Sequence, residues 1–500
     1  MQTVPTQEVP IAPLLVDASS ARASVLRRLC VALFEPVDIS FLVFFRVLFG
    51  GIMLWEVYRY FSNGWIRRYY IEPAVTFTYY GFSWVKPWPG WGMYVHFFVL
   101  GLAAACVMVG FLYRIAAPVF FLAFTYAFLL DQTRYLNHLY LICLIGFLLC
   151  FLPAERAFSV DALLRPNIRS AVAPAWTLWL LRIQVGIPYF FGGIAKLNSD
   201  WIHGGEPMRT WLRPLTKVSG GSSIFTADWL VYGFVIGGLM LDLLVVPLLL
   251  WRRTRPFALV GAILFNLTNA TIFDIGIFPW LMLGALLIYF PPDLMRRFAR
   301  AFMSSGEESE DEKPSPAPAS TSVERSRSLS TSQKRVVRLL AAYLAVQLIL
   351  PLRHYLYPGN VSWTEEGHNF SWHMKLRTKV GEAVFTVTHP QSGQTWIIKP
   401  EDYLESHQLT KVITKPDLIL LFGHYLAEEK RREGYENVEV RARVMASLNG
   451  REPQLLIDPT VDLAKEEVSL LPARWIVPLT KPLRSHPHET PVPPNTFHSQ

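Results

Sequence analysis

The stretch AWTLWLLRIQVGIPYFFGGIAKLNSDW fills residues 175–201, and Arg182 is its only charge before the apolar run closes on Gly192-Gly193-Ile194-Ala195-Lys196. A helix needs about 20 mostly apolar residues to cross a bilayer, so a span is predicted over 175–195. Similar runs lie at 39–58, 92–113, 115–130, 136–153, 228–251, 257–273, 276–292 and 336–353. The pair meeting at Phe273-Asp274-Ile275-Gly276 reads as a broken helix or as two spans. Nine spans, give or take one, define a polytopic all-α membrane bundle. Composition agrees: of 500 residues, 52% are hydrophobic, 14% aromatic and only 17% charged. A soluble domain carries roughly 25% charged residues, so a soluble globular enzyme is excluded. The net charge of +8 resides in short clusters flanking apolar runs, which excludes nucleic acid as the partner and instead orients a membrane protein.

Arg22/Arg27/Arg28, Arg114, Arg156/Arg165/Arg169, Arg252/Arg253/Arg255, Arg296/Arg297/Arg300 and Lys334/Arg335/Arg338 fall at alternate connections. A cytoplasmic N terminus puts all six groups inside, with Arg67/Arg68 dissenting. The expected layout is then a cytoplasmic segment 1–38, eight spans within 39–302, a linker 303–335, a last span 336–353, a domain 354–483 and a frayed tail 484–500. The linker is rich in Ser, Pro and charge and has almost nothing to bury, which predicts disorder. Residues 354–483 face the periplasm or a secretory lumen. They read as an α+β domain rich in strand: β-prone runs at 383–388 and 395–398, a helical period over 417–433, and strand 438–447 turning at Asn449-Gly450 into 454–457. The four cysteines, Cys30, Cys106, Cys143 and Cys150, have neither zinc-like spacing nor a disulfide framework.

Ionisable groups inside a membrane are costly and therefore informative. The alternating topology brings Asn137-His138, Lys196, and Asn266, Asn269 and Asp274 to one level, just beneath the outer domain. Arg182 and Gln184 lie deeper and suit helix packing. A lysine at a helix end either snorkels to the headgroups or performs chemistry, and the residue alone does not choose. The paired glycines before it leave room for a flat ligand or for a close helix neighbour. A phosphate loop, a nucleophile elbow and a His-Glu-x-x-His helix are all absent from the sequence.

Five segments in order carry a resemblance. Leu136-Asn137-His138-Leu139-Tyr140, Phe191 through Trp201, Phe273 through Phe278, Trp363-Thr364 with Phe370-Ser371-Trp372, and Ile457 through Asp462 closely resemble the vitamin K-dependent gamma-glutamyl carboxylases, over about Ser40 to Leu479. The resemblance implies reduced vitamin K, a hydroquinone of menaquinol or phylloquinol type, with O2 and CO2 as co-substrates and no metal. Oxygenation of the hydroquinone to its epoxide generates a base that removes the γ-proton of a peptidyl glutamate, and the carbanion captures CO2. It further implies Lys196 as catalytic base and His138 as the second catalytic residue. A low-dielectric site favours the uncharged form of an amine, as such a base requires. Asn137, His138, Asn269 and Met374 are expected around the quinone, and Trp363, His368, Ser371, Trp372 and Arg377 around the glutamate. His368 and Arg377 stand where the family has an aromatic residue and a histidine; a guanidinium suits a carboxylate through paired hydrogen bonds. The expected partners are a Glu-containing protein or peptide, the quinone and the lipid bilayer. Two other readings remain: a quinone-epoxidising homologue without protein carboxylation, and a non-enzymatic peptide- or lipid-binding bundle. A transporter usually shows internal repeats, and none is found.

Overall fold

A computed structural model describes residues 25–483 apart from 26, 219–222, 274 and 304–328. The bulk of the expected linker, the tail and Asp274 therefore lie outside the described residues. The membrane part is built from α1 (Ser40–Ser62), α2 (Gly92–Val109), α3 (Tyr113–Leu129), α4 (Asn137–Leu149), α5 (Ala175–Lys196), α6 (Asp228–Leu250), α7 (Arg255–Ile272), α8 (Phe278–Ala285) and α9 (Thr331–Ile349). Among the described residues, α1, α2, α5, α6 and α9 are long and apolar enough to cross a membrane; α3, α4 and α8 are shorter apolar helices. At 1.5 Å per residue, α3 is roughly 25 Å long, so its ends must be satisfied by protein rather than by lipid. Asp161 does this at its start, its carboxylate accepting from the backbone N–H groups of Leu112 (3.1 Å) and Tyr113 (2.9 Å).

Arg182 serves packing. It donates to the carbonyls of Ile288 (2.9 Å) and Phe290 (3.1 Å), just past the end of α8, while Gln184 accepts from Tyr343 of α9. α7 and α8 are separate helices, joined by a turn in which Gly276 takes φ +55°. α9 begins at Thr331, ahead of the expected 336, because Ser330 and Gln333 form a capping box whose local hydrogen bonds outweigh the polar composition there.

The outer domain carries a four-stranded antiparallel sheet. A short ribbon, β1 (Pro36–Asp38) with β2 (Val172–Pro174), precedes it in the chain; the sheet runs β4 (Gln394–Ile398), β3 (Lys379–His389), β5 (Glu439–Leu448), β6 (Gln454–Leu455) in that order. Helices α10 (Ser406–Val412) and α11 (Pro416–Arg432) follow β4. The apolar face of α11 buries Leu418, Ile419, Phe422 and Leu426, with Phe422 edge-on to Phe385 of β3 at 5.0 Å. Residues 361–377 staple the two parts together. Trp363 is wholly buried in the outer core, and Trp372 is buried in the membrane core against Tyr140.

Candidate functional site

The end of α5 organises the centre of the molecule. Its apolar face commits Lys196 to the bundle interior, where the residue is 5% exposed. The ammonium donates to the carboxylate of Asp242 on α6 at 2.6 Å, and Asp242 is 3% exposed. Gly193 makes this approach possible, because a Cβ there would stand 2.6 Å from Leu243 Cδ2. Of the two readings of the paired glycines, a close helix neighbour therefore accounts for Gly193. Gly192 faces Met374 and Asp242.

The residues after Lys196 lock it in place. Asn198 accepts from the N–H of Trp201 (3.0 Å), capping a short helix, and Trp201 lies beneath the ammonium, its ring centre 5.3 Å away. Asp200 receives a paired hydrogen bond from Arg451 (2.7 Å to each oxygen) and another from Asn449 (2.8 Å) at the β5–β6 turn. Burial works against the Asp200 carboxylate, but these donors outweigh it and hold its pKa below the ordinary value. The outer domain thus grips the helix end that carries Lys196.

Above and beside this pair opens a cavity of about 960 Å³, within the usual range for small-molecule sites of roughly 300–1,000 Å³. It gathers Asn137, His138, Lys196, Asn269, His368, Met374 and Arg377, residues from both the bundle and the outer domain. His138, the second residue of α4, stacks on Phe278 (5.5 Å between ring centres). Asn137 is in the wall, but its amide donates to the His373 carbonyl (3.2 Å) and accepts from Tyr135 (3.0 Å). It anchors the 373 loop and keeps one amide hydrogen for a ligand.

Trp363, Ser371 and Trp372 do not line the cavity. The Trp363 indole donates to the Val477 carbonyl, the Ser371 hydroxyl to the Gly367 carbonyl, and all three side chains are buried. They shape the loop that presents His368, Met374 and Arg377. Arg377 is not a free guanidinium: it forms an ion pair with Glu365 and donates to Nε2 of His368. Burial, reinforced by Arg377, lowers the His368 pKa well below its usual value, so the ring is neutral and able to accept.

Glu365 and Asp242 escaped the sequence reading. Asp242 had a signal, being a lone carboxylate in the middle of a 23-residue apolar helix. Glu365 had none, since an acidic residue in a polar loop looks ordinary until its neighbours are known.

The cavity has two characters. Its inner end, among the spans, is walled by Pro188, Leu241, Leu264, Phe265 and Met282. Its outer end is faced by Lys375, Arg377, Lys379, Lys411 and Lys415 against the carboxylate of Glu365. Burial pushes both Lys379 and Lys411 down to about 7, with Glu365 opposing the shift in each case.

A bundle of apolar helices under a gripping α+β domain, with a cavity at their junction, defines a polytopic membrane protein with a second, strand-containing domain. Two family models match it: the HTTM domain over residues 34–294 and the vitamin K-dependent gamma-carboxylase lumenal domain over residues 332–482. The chain belongs to the vitamin K-dependent gamma-carboxylase family. No solved structure matches it.

Proposed function

We propose that the protein couples oxygenation of vitamin K hydroquinone to γ-carboxylation of peptidyl glutamate, as a carbon–carbon lyase acting at the membrane surface. The observation that carries this reading is the place of the Lys196–Asp242 pair, on the wall of a cavity that is apolar at one end and cationic at the other. A prenylated quinone suits the apolar end, and an acidic peptide suits the cationic end. The hydroquinone supplies the reducing equivalents for O2 and, on oxygenation, the base that attacks the γ-carbon proton. Lys196 and Asp242 act as a unit that accepts the hydroquinone proton: the ammonium passes a proton to the carboxylate 2.6 Å away, and the amine so freed takes the proton of the hydroquinone. His138 and Asn269 border the quinone head, and Met374 closes the site over Gly192.

Purified protein incubated with reduced vitamin K, a Glu-containing peptide and labelled bicarbonate should yield both epoxide and fixed label. Epoxide without label supports the epoxidising homologue instead. Neither product would leave the peptide- or lipid-binding bundle.

Arg377, steered by Glu365, is assigned to the substrate carboxylate, since a guanidinium has five N–H donors and these two contacts leave some free. An interaction made equally in ground and transition states appears in KM. Arg377→Ala should raise the KM for a Glu peptide by about tenfold, ~1.4 kcal/mol, and leave the quinone KM unchanged. A quinone-side defect with normal peptide KM would move Arg377 to the oxygenation end.

The orientation is part of the proposal, with the N terminus cytoplasmic and the outer domain periplasmic or lumenal. In a background lacking the four native cysteines, Gln391→Cys at the exposed β3–β4 turn should react with an impermeant thiol reagent in intact cells. Arg253→Cys, between α6 and α7, should react only after permeabilisation. The reverse pattern inverts the topology.

A further inference from the structure

The outer end of the cavity holds more positive charge than the proposed reaction needs. O2, CO2 and a prenylated hydroquinone are uncharged. A single reacting glutamate brings one carboxylate, for which Arg377 is already placed by Glu365 and His368. Lys379 is likewise engaged, donating to the Trp363 carbonyl beside Glu365. Lys411 and Lys415 are different. Both line the cavity, from the last turn of α10 and the residue preceding α11. Among the described residues neither ammonium has a hydrogen-bond or close ion-pair partner, although Glu365 exerts some pull on both and Asp417 on Lys415. Lys411 and Lys415 are both half-buried at the cavity wall, and the charges that act on Lys411 include the cations Lys415, Arg377 and Lys375. Like charges held near one another on a cavity wall without partners repel, and an anion entering between them relieves that repulsion.

We propose that Lys411 and Lys415 form a second carboxylate subsite, which takes another acidic side chain of the peptide whose glutamate reacts. The preferred substrate is then a segment with closely spaced acidic residues rather than an isolated glutamate. This inference rests on the reading of the cavity as a peptidyl-glutamate site. Lysine suits such a subsite, because its ammonium is a mobile point charge on a flexible stem, tolerant of where along the peptide the second carboxylate falls. The Glu365–Arg377 pair, by contrast, is geometrically fixed. The lowered pKa of Lys411 adds that protonation accompanies carboxylate binding near neutral pH.

Binding is the readout, so no turnover is needed. Full-length protein in zwitterionic nanodiscs is titrated with two labelled peptides, one with a single Glu in neutral flanks and one with an added Asp within about four residues. In the wild type the added Asp should tighten binding about tenfold, and in Lys411→Met/Lys415→Met by less than about twofold. The single-Glu peptide should lose less affinity in the variant than the peptide with the added Asp. The milder Lys411→Gln repeats the comparison should the double variant lose its thermal transition. An equal advantage in wild type and variant, or none in the wild type, overturns the subsite. Failure of the carboxylase reading shows separately, as a wild type that fixes no labelled CO2 whichever peptide it binds.

Discussion

Lys196→Ala should lower vitamin K epoxide formation by about 10³-fold, within the usual 10²–10⁴ contribution of a positioned acid–base group. The variant removes the amine that stands 2.6 Å from Asp242 and borders the cavity, while the locks that follow it in the chain remain. Asn198 still caps the following turn and Asp200 still holds Arg451, so the end of α5 keeps its place. The space left by the lysine side chain adjoins a carboxylate inside the cavity. Small primary amines should enter it, pair with Asp242 and restore a measurable part of the rate, in order of their basicity and inversely with their bulk. Epoxide is quantified with and without added amine. Wild-type turnover in the variant would take Lys196 out of the reaction.

The second large effect concerns stability. Removing one member of a buried ion pair strands the other, at a cost of about 3–5 kcal/mol, whereas replacing both with apolar groups is often neutral. Asp242→Leu and Lys196→Met should each lower the stability of the detergent-solubilised protein on that scale. The Lys196→Met/Asp242→Leu double variant should return close to the wild type while remaining inactive. Denaturant or thermal unfolding of the four proteins completes the cycle. Additive losses would mean that the two groups are not coupled, and the dyad would fall with them. Retained stability together with lost activity in the double variant separates what the pair does for the fold from what it does for the chemistry.

The excess charge at the outer end of the cavity is consistent with this division of labour. The Lys196–Asp242 pair carries no net charge, so it adds little to the field that draws a peptide inward. Under the proposed function the basic side chains of the outer end supply that field, and steering of this kind weakens with ionic strength.

The helices and the outer domain's strands were legible in the sequence because their signals are local. Apolar runs, a strand–turn–strand pattern ending on Asn449-Gly450, and a helical period over 417–433 each depend on near neighbours in the chain. The cap that Asn198 places on the turn after Lys196 is local as well, whereas the Asp200 latch reaches Arg451, 251 positions further on. Tertiary structure alone decided the partners. Lys196 meets Asp242 across 46 positions because Gly193 lets α5 lie against α6, and helix rotation at that contact is set by packing rather than by periodicity. Trp363, Ser371 and Trp372 sit in a motif that reads as a binding stretch. Burying two indoles in two separate cores turned those side chains away from the cavity and left Arg377, aimed by Glu365, to face it. Lys411 and Lys415 look like ordinary solvated lysines in the sequence. Only the tertiary structure sets them together on one cavity wall, since the field at a charged group depends on what surrounds it in space and not on its neighbours in the chain.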